Sequence, residues 1–177
     1  GGVIETILER EENARLVVVG RRGTDHEYAT DHIGSMIERV VRASTKPVMI
    51  VSRNYVEPDH VVFAYDASPA AKRALERLAN SPVFAGLPVT IVMAEASGDS
   101  KMAAMAEAEA AFAPEHPVNT VFDPAKAEKV IPRVIASVGN PLLLMGAYGH
   151  SPIRNLIVGS TTTEMIRTIH TPVLLVR

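Results

Sequence analysis

Five short apolar runs constrain the folding of this chain more than any other feature: HVVFAYD (60–66), LPVTIVMAE (87–95), VNTVFD (118–123), PLLLMG (141–146) and PVLLVR (172–177). They are rich in leucine or β-branched residues and lack alternation of apolar and polar positions, as do strands covered on both faces of a parallel sheet. Helix-forming segments separate them. In 68–80, Ser68 can cap, Pro69 suits the first turn, and Ala71, Leu75 and Leu78 share a face. Segment 98–113 is rich in strong helix formers, with Asp99 or Ser100 as its cap and Met102 and Met105 facing the core. Segment 123–139 takes Asp123 as its cap, and Pro132 inside it predicts a kink or a late start. Segment 160–170 carries Met165, Ile166 and Ile169 on one face. Strands and helices alternating in this way, joined by right-handed crossovers, predict a doubly wound α/β fold around a five-stranded parallel sheet.

The first 53 residues repeat the end of that unit. Gly20 aligns with Gly146, Gly34-Ser35 with Gly159-Ser160, and Lys46-Pro47-Val48 with Thr171-Pro172-Val173, at spacings of 126, 125 and 125 residues. A repeat of this length indicates tandem domains. The expected division is the C-terminal half of a first domain (1–53), a linker (54–58) and a complete domain (59–177). The first copy lacks an opening β-α-β-α-β portion. Two strands and two helices cannot bury their own apolar faces, so this piece is expected to belong to a longer protein or to lean on a partner.

The chemistry concentrates in the last strand-to-helix loop, where Gly146, Gly149 and Gly159 precede Ser160, Thr161 and Thr162. N–H groups at a helix N-terminus are unpaired and lie at the positive end of the helix dipole, so they favour an anion. Glycine lets the backbone approach phosphate oxygens, and hydroxyls add donors. The same loop can equally serve turns, with Ser160 a plain cap. A Walker loop is excluded, because no lysine lies between Met145 and Arg177, and G-x-G-x-x-G is absent.

Composition narrows the partners. Eighteen basic residues against 20 acidic give a net charge of −2, which supplies neither a nucleic-acid footprint nor a polybasic membrane signal. Cysteine is absent, which excludes disulfides and thiolate zinc sites. No apolar run approaches the ~20 residues of a membrane span. A soluble, cytoplasmic protein with no nucleic-acid or membrane partner is expected. No G-x-S-x-G elbow or H-E-x-x-H motif occurs, and no catalytic residue is assigned. Asp25-His26 and Asp31-His32 have metal-capable side chains but no closing register, so no metal ligand is assigned. His60 and His170 read as surface or loop residues, Glu107 and Glu109 as a solvated face, and Glu9 to Glu12 as an exposed helix end. Asp66, in an Asp-x-Ser turn, can satisfy loop amides or face a ligand.

The spacing Gly146-x2-Gly149-x9-Gly159-Ser160 resembles the ATP-binding motif of the universal stress protein family. The following TTTEMIRTIHTPVLLVR is similar to that family's closing helix and strand, and VVFAYDASPAAKRAL (61–75) to its opening strand, with Asp66 as the terminal aspartate. The resemblance implies a Rossmann-like fold of the adenine nucleotide alpha hydrolase type, with strand order 3-2-1-4-5. It implies ATP, with or without magnesium, as the ligand. Asp66 would stand by the adenine-ribose end, Gly146 and Gly149 would shape the loop, and Gly159, Ser160 and Thr161 would hold phosphates. His150 stands where ATP-binding members often carry arginine, which weakens phosphate attraction at neutral pH. The first copy, Gly20-x2-Gly23-x10-Gly34-Ser35, is one residue longer and reads as a degenerate site in which Arg21 and Arg22 could still attract phosphate. The family associates through the last strand of each unit, so segments 47–52 and 172–177 are expected to form a homodimer or pseudo-dimer seam. The implied function is an ATP-binding stress-response or signalling module. The alternatives are a nucleotide-free dimerisation module and a slow ATPase.

Overall fold

The structure, a computed structural model, describes residues 2–21, 35–95, 98–112, 116–147 and 160–177. Two strands and two helices come first: α1 (Val3–Arg10), a 3-10 turn (Glu11–Asn13), β1 (Val17–Gly20), α2 (Ser35–Ala43) and β2 (Val48–Val51). A full alternation follows: β3 (His60–Ala64), α3 (Pro69–Ala79), β4 (Val89–Ala94), α4 (Asp99–Ala110), β5 (Val118–Asp123), α5 (Ala127–Ala136), β6 (Pro141–Gly146), α6 (Ser160–Thr168) and β7 (Val173–Val176).

Among the described residues seven strands join one sheet in the order β1-β2-β7-β6-β3-β4-β5. From β3 onward the order is 3-2-1-4-5, and every pair is parallel. The sheet is larger than the five strands expected, because β2 pairs antiparallel with β7 (Val48 opposite Leu175, Met49 opposite Leu174, Ile50 opposite Val173) and carries β1 beside it. One seam therefore makes an otherwise parallel sheet mixed.

Side chains alternate across each strand, so consecutive apolar residues feed two cores. On one face Val62, Leu143, Leu175 and Ile50 meet α5, α6 and α2 through Val130, Ile166 and Val40. On the other, Phe63, Ile91, Leu144 and Leu174 meet α3 and α4 through Ala74, Leu78 and Met105. Burying each such side chain contributes about 1.5–3 kcal/mol, which explains why the central strands have no polar phase.

Four local expectations are corrected. β5 is not covered on both faces: it ends the sheet with β4 as its partner, and Phe122 is exposed. Asp123 does not cap α5, which starts late at Ala127; its carboxylate instead accepts from Ala125 N (2.7 Å) and pairs with Arg133 (2.5 Å). Gly98, at φ 89°, is the N-cap of α4 in place of Asp99 or Ser100, and Met102 is 59% exposed although Met105 is buried. Glu11 is buried, not part of a solvated helix end. Its carboxylate accepts from Ser44 Oγ (2.5 Å), Thr45 N (2.8 Å) and Thr45 Oγ1 (2.9 Å), tying α1 to the segment that feeds β2.

Two arginines cross the seam. Arg177, after β7, donates to the carbonyls of Arg42 (3.0 Å) and Ser44 (2.9 Å) at the end of α2. Arg21, after β1, donates to the Ile166 carbonyl in the last turn of α6. A cation at a helix C-terminus satisfies leftover carbonyls and faces the negative end of the dipole.

Candidate functional site

β3 and β6 lie side by side, but β3 leads outward to β4 and β6 leads the other way to β7. An open α/β sheet forms its crevice outside the carboxyl ends of the strands at such a reversal. Two residues singled out in the sequence stand there. Ala64 is in register with Met145, so Asp66, two residues past β3, and Gly146, the last residue of β6, end neighbouring strands.

Gly146 has a packing reason to be glycine. A Cβ there would lie 2.7 Å from Ala71 N and 3.0 Å from the Ala70 carbonyl carbon, inside the first turn of α3. Ser68 starts that turn by accepting from Ala71 N (3.2 Å), and Pro69 supplies its first residue. Asp66 is exposed, and its Oδ1 accepts from Ser68 N (2.9 Å), the Asx turn that the Asp-x-Ser sequence allows. Ala67 between them adopts a left-handed φ of 62°, a conformation that costs a non-glycine residue about 1–2 kcal/mol. Lys101 from α4 donates to the Asp66 carbonyl (3.4 Å) and brings a cation to this corner. Burial, then the charges of Glu107 and Asp66, push the Tyr65 phenol up, which keeps it neutral beside them.

Ser160 opens α6, and Thr161 follows in the first turn with its hydroxyl on Glu128 Oε1 (3.0 Å). Glu128, in the first turn of α5, has no part in the sequence reading; the one signal for it is an acidic residue opening a helix that packs beside α6. Gly149, His150 and Gly159 lie outside the described residues. In the first 53 residues Gly20 ends β1 and Ser35 opens α2, which like α6 is nine residues long. Gly23, Gly34, Arg22 and the pairs Asp25-His26 and Asp31-His32 also lie outside the described residues. Arg21, read as a phosphate attractor, is turned instead to the carbonyl of Ile166. Among the described residues no group of three or more His, Asp or Glu side chains is placed to hold a metal, and no helix is long and apolar enough to cross a membrane.

His60 and His170 take different places. His60 is half-buried and bonds Thr90 Oγ1 (2.8 Å), and burial, opposed by Asp59, lowers its pKa. His170 is exposed. Neither faces the crevice residues.

A doubly wound α/β sheet whose strands from β3 onward run in the order 3-2-1-4-5 is a Rossmann-like fold. The Universal stress protein family model matches residues 3–52 and 88–177. The chain belongs to the universal stress protein family. A universal stress protein of Synechocystis is 31% identical over the whole chain, which spans 63% of that relative. A universal stress protein from Archaeoglobus fulgidus superposes with a TM-score of 0.78 at 26% identity, over 98% of this chain and 64% of its own. UspA from Lactobacillus plantarum shares the fold at 16% identity and a TM-score of 0.54, with all of that protein matched by 69% of this chain.

Proposed function

We propose that the second unit binds an adenine nucleotide, ATP with or without magnesium, outside the carboxyl ends of β3 and β6. Asp66 faces the sugar or base, and the loop from Gly146 to Thr161 holds the phosphates through backbone N–H groups and the Ser160 and Thr161 hydroxyls. The observation that carries this reading is the register of β3 with β6, which sets exposed Asp66 and Gly146 at the ends of neighbouring strands at the switch point, with β6 leading on to a helix that opens with Ser160-Thr161. Glu128 fits magnesium better than bare phosphate, since a carboxylate and a hydroxyl are hard oxygen donors for that ion. The first copy binds no nucleotide in this reading, because Arg21 serves α6. The β2–β7 seam supports a pseudo-dimer through the last strand of each unit, and the setting is cytoplasmic.

Turnover is slow or nil, because phosphoryl transfer needs fixed positive charge and a positioned nucleophile, and the loop offers His150 and Arg154 alone. A second reading has its own support. Gly146, Asp66 and Thr161 each have an internal task, so the unit could act as a nucleotide-free interaction module through its seam. Titration of ATP into the wild type and into Gly159→Val/Ser160→Ala, both checked for folding, separates the two. One ATP per chain, lost in the double variant, is expected. No binding at millimolar ATP, or equal affinity in both, promotes the interaction module. Turnover near ~10 s⁻¹ would make the protein an enzyme instead.

A further inference from the structure

β5 ends the sheet beside β4, and its outer edge has no strand among the described residues. Val89 donates to the Pro117 carbonyl, so residues 119, 121 and 123 turn their backbone groups to β4, and Val118, Thr120 and Phe122 turn theirs outward. Edge strands are ordinarily blunted by a charge, a proline or a bulge. The outward positions of β5 have none, and its one charge, Asp123, is held by Arg133. Side chains 118, 120 and 122 share the α4 face of the sheet, because Val118 packs with the core beneath α4. Phe122 is 39% exposed there, although Met93, in register with it on β4, is buried.

α4 lies over β4 and β5. Met105 and Ala108 face the sheet, Ala104 packs against the core, and the charge of Glu107 reaches Tyr65 beside β3. Met102, Ala106 and Glu109 therefore line the side away from β3, above the open edge, and all three are exposed. Within residues 70–79 of α3 the exposed side chains are Lys72, Arg73, Glu76 and Arg77, all charged. α4 instead exposes Met102, Ala103, Ala106 and Ala110, so its outer side is apolar where a solvated helix is polar.

We propose that β5 is a self-association edge, along which a second copy of this chain adds its own β5 antiparallel about a two-fold axis at Thr120. The strand is palindromic in its chemistry about that residue. With Thr120 opposite its counterpart as a hydrogen-bonded pair, Val118 stands opposite Phe122 of the other copy, and Phe122 opposite its Val118. Threonine–threonine and aromatic–β-branched pairs are among those that stabilise an antiparallel sheet. The helices agree with the strands. Strands about 4.8 Å apart set the two α4 axes about 10 Å apart, close to the spacing of packed helices. The carboxyl half of each α4, with Glu107 and Glu109, then lies beside the amino end of the other, where the positive end of the dipole and Lys101 outweigh Asp99. A second copy is the occupant because the edge complements itself in side chains, helix spacing and charge together. β7, on the far side of the unit, already has β2 along its edge.

Sedimentation equilibrium of the 177-residue chain tests this, and a monomer–dimer equilibrium is expected. Thr120→Lys sets like charges opposite each other at an exposed position. It should raise the dissociation constant at least ~10-fold with the circular dichroism spectrum unchanged, whereas Thr120→Val should keep the dimer. The chain has no cysteine, so Ala106→Cys supplies a single thiol. Mild oxidation should join two copies through it, and should fail to do so once Thr120→Lys is added. A chain that stays monomeric at ~1 mM overturns the proposal. So does a dimer that Thr120→Lys leaves intact, or one in which the Ala106→Cys thiol stays reduced. Slow exchange of the Thr120 and Phe122 amides in a monomeric chain would assign the edge to another strand, and equally overturns it.

Discussion

Replacing Gly146 with valine would place methyl groups where the Ala70–Ala71 backbone now lies, and backbone does not yield as a side chain does. The expected cost is about 1–3 kcal/mol, read by chemical denaturation without nucleotide. A loss of ATP binding with unchanged stability would show that the glycine serves the ligand alone. Glu11 leads to a pH dependence. Burial alone would raise its pKa, but bonds from Ser44, the Thr45 amide and the Thr45 hydroxyl outweigh it and hold the carboxyl below its ordinary range. A lowered folded-state pKa means stability that is present above the unfolded-state value, about 4.3, and is lost as pH falls through the folded one. Glu11→Gln should be less stable by about 1–3 kcal/mol at pH 7, and the difference should shrink below pH ~4; a pH-independent gap would refute the linkage. Neither role was legible. Glu11 sits in a run of charges, and its donors are more than 30 residues away. Gly146 was legible as important, but its neighbour in space comes from an earlier strand-to-helix junction.

At the scale of elements, the start of α3 was fully legible, because Ser68, Pro69 and the apolar face 71, 75 and 78 are local signals that agree. Ser68→Ala should cost about 1 kcal/mol in thermal or chemical unfolding. The start of α5 was not legible, since Asp123 had a choice: the N-terminus of α5 or Arg133 in the last turn of that same helix. β5 misled for a related reason. Its composition suits a strand, but whether a strand is central or an edge depends on how many neighbours it has. The α5–α6 contact carries a functional prediction. If phosphates lie beside Thr161, the Glu128 carboxylate repels them unless a cation intervenes. Glu128→Gln should therefore tighten magnesium-free ATP by roughly threefold to tenfold and reduce the benefit of magnesium, measured by paired titrations with and without the ion. No change in either would place the phosphates elsewhere.

Across the whole molecule, the parallel order of strands β3 to β7 was legible from the alternating runs together with the family resemblance. The seam was legible only as a need. Segments 47–52 and 172–177 end their units with backbone groups that require a neighbour, yet main-chain hydrogen bonding is indifferent to sequence, so nothing in the residues names the partner. In the structure the partners are each other, and Arg21 and Arg177 add side-chain bonds on either side of them. Arg21→Met and Arg177→Met should each speed amide exchange in β2 and β7 while leaving β3 and β4 unaffected; uniform change across the sheet would mean the arginines stabilise their own units only. The antiparallel sense of that seam also decides how the molecule meets its surroundings. Strands β1 and β2 point their carboxyl ends one way and β3, β6 and β7 the other, so Gly20, the last residue of β1, and Gly146, the last of β6, stand at opposite edges of one sheet, with strands of roughly 13 Å between those edges. A partner recognising the Gly146 end of the sheet leaves the Gly20 end clear.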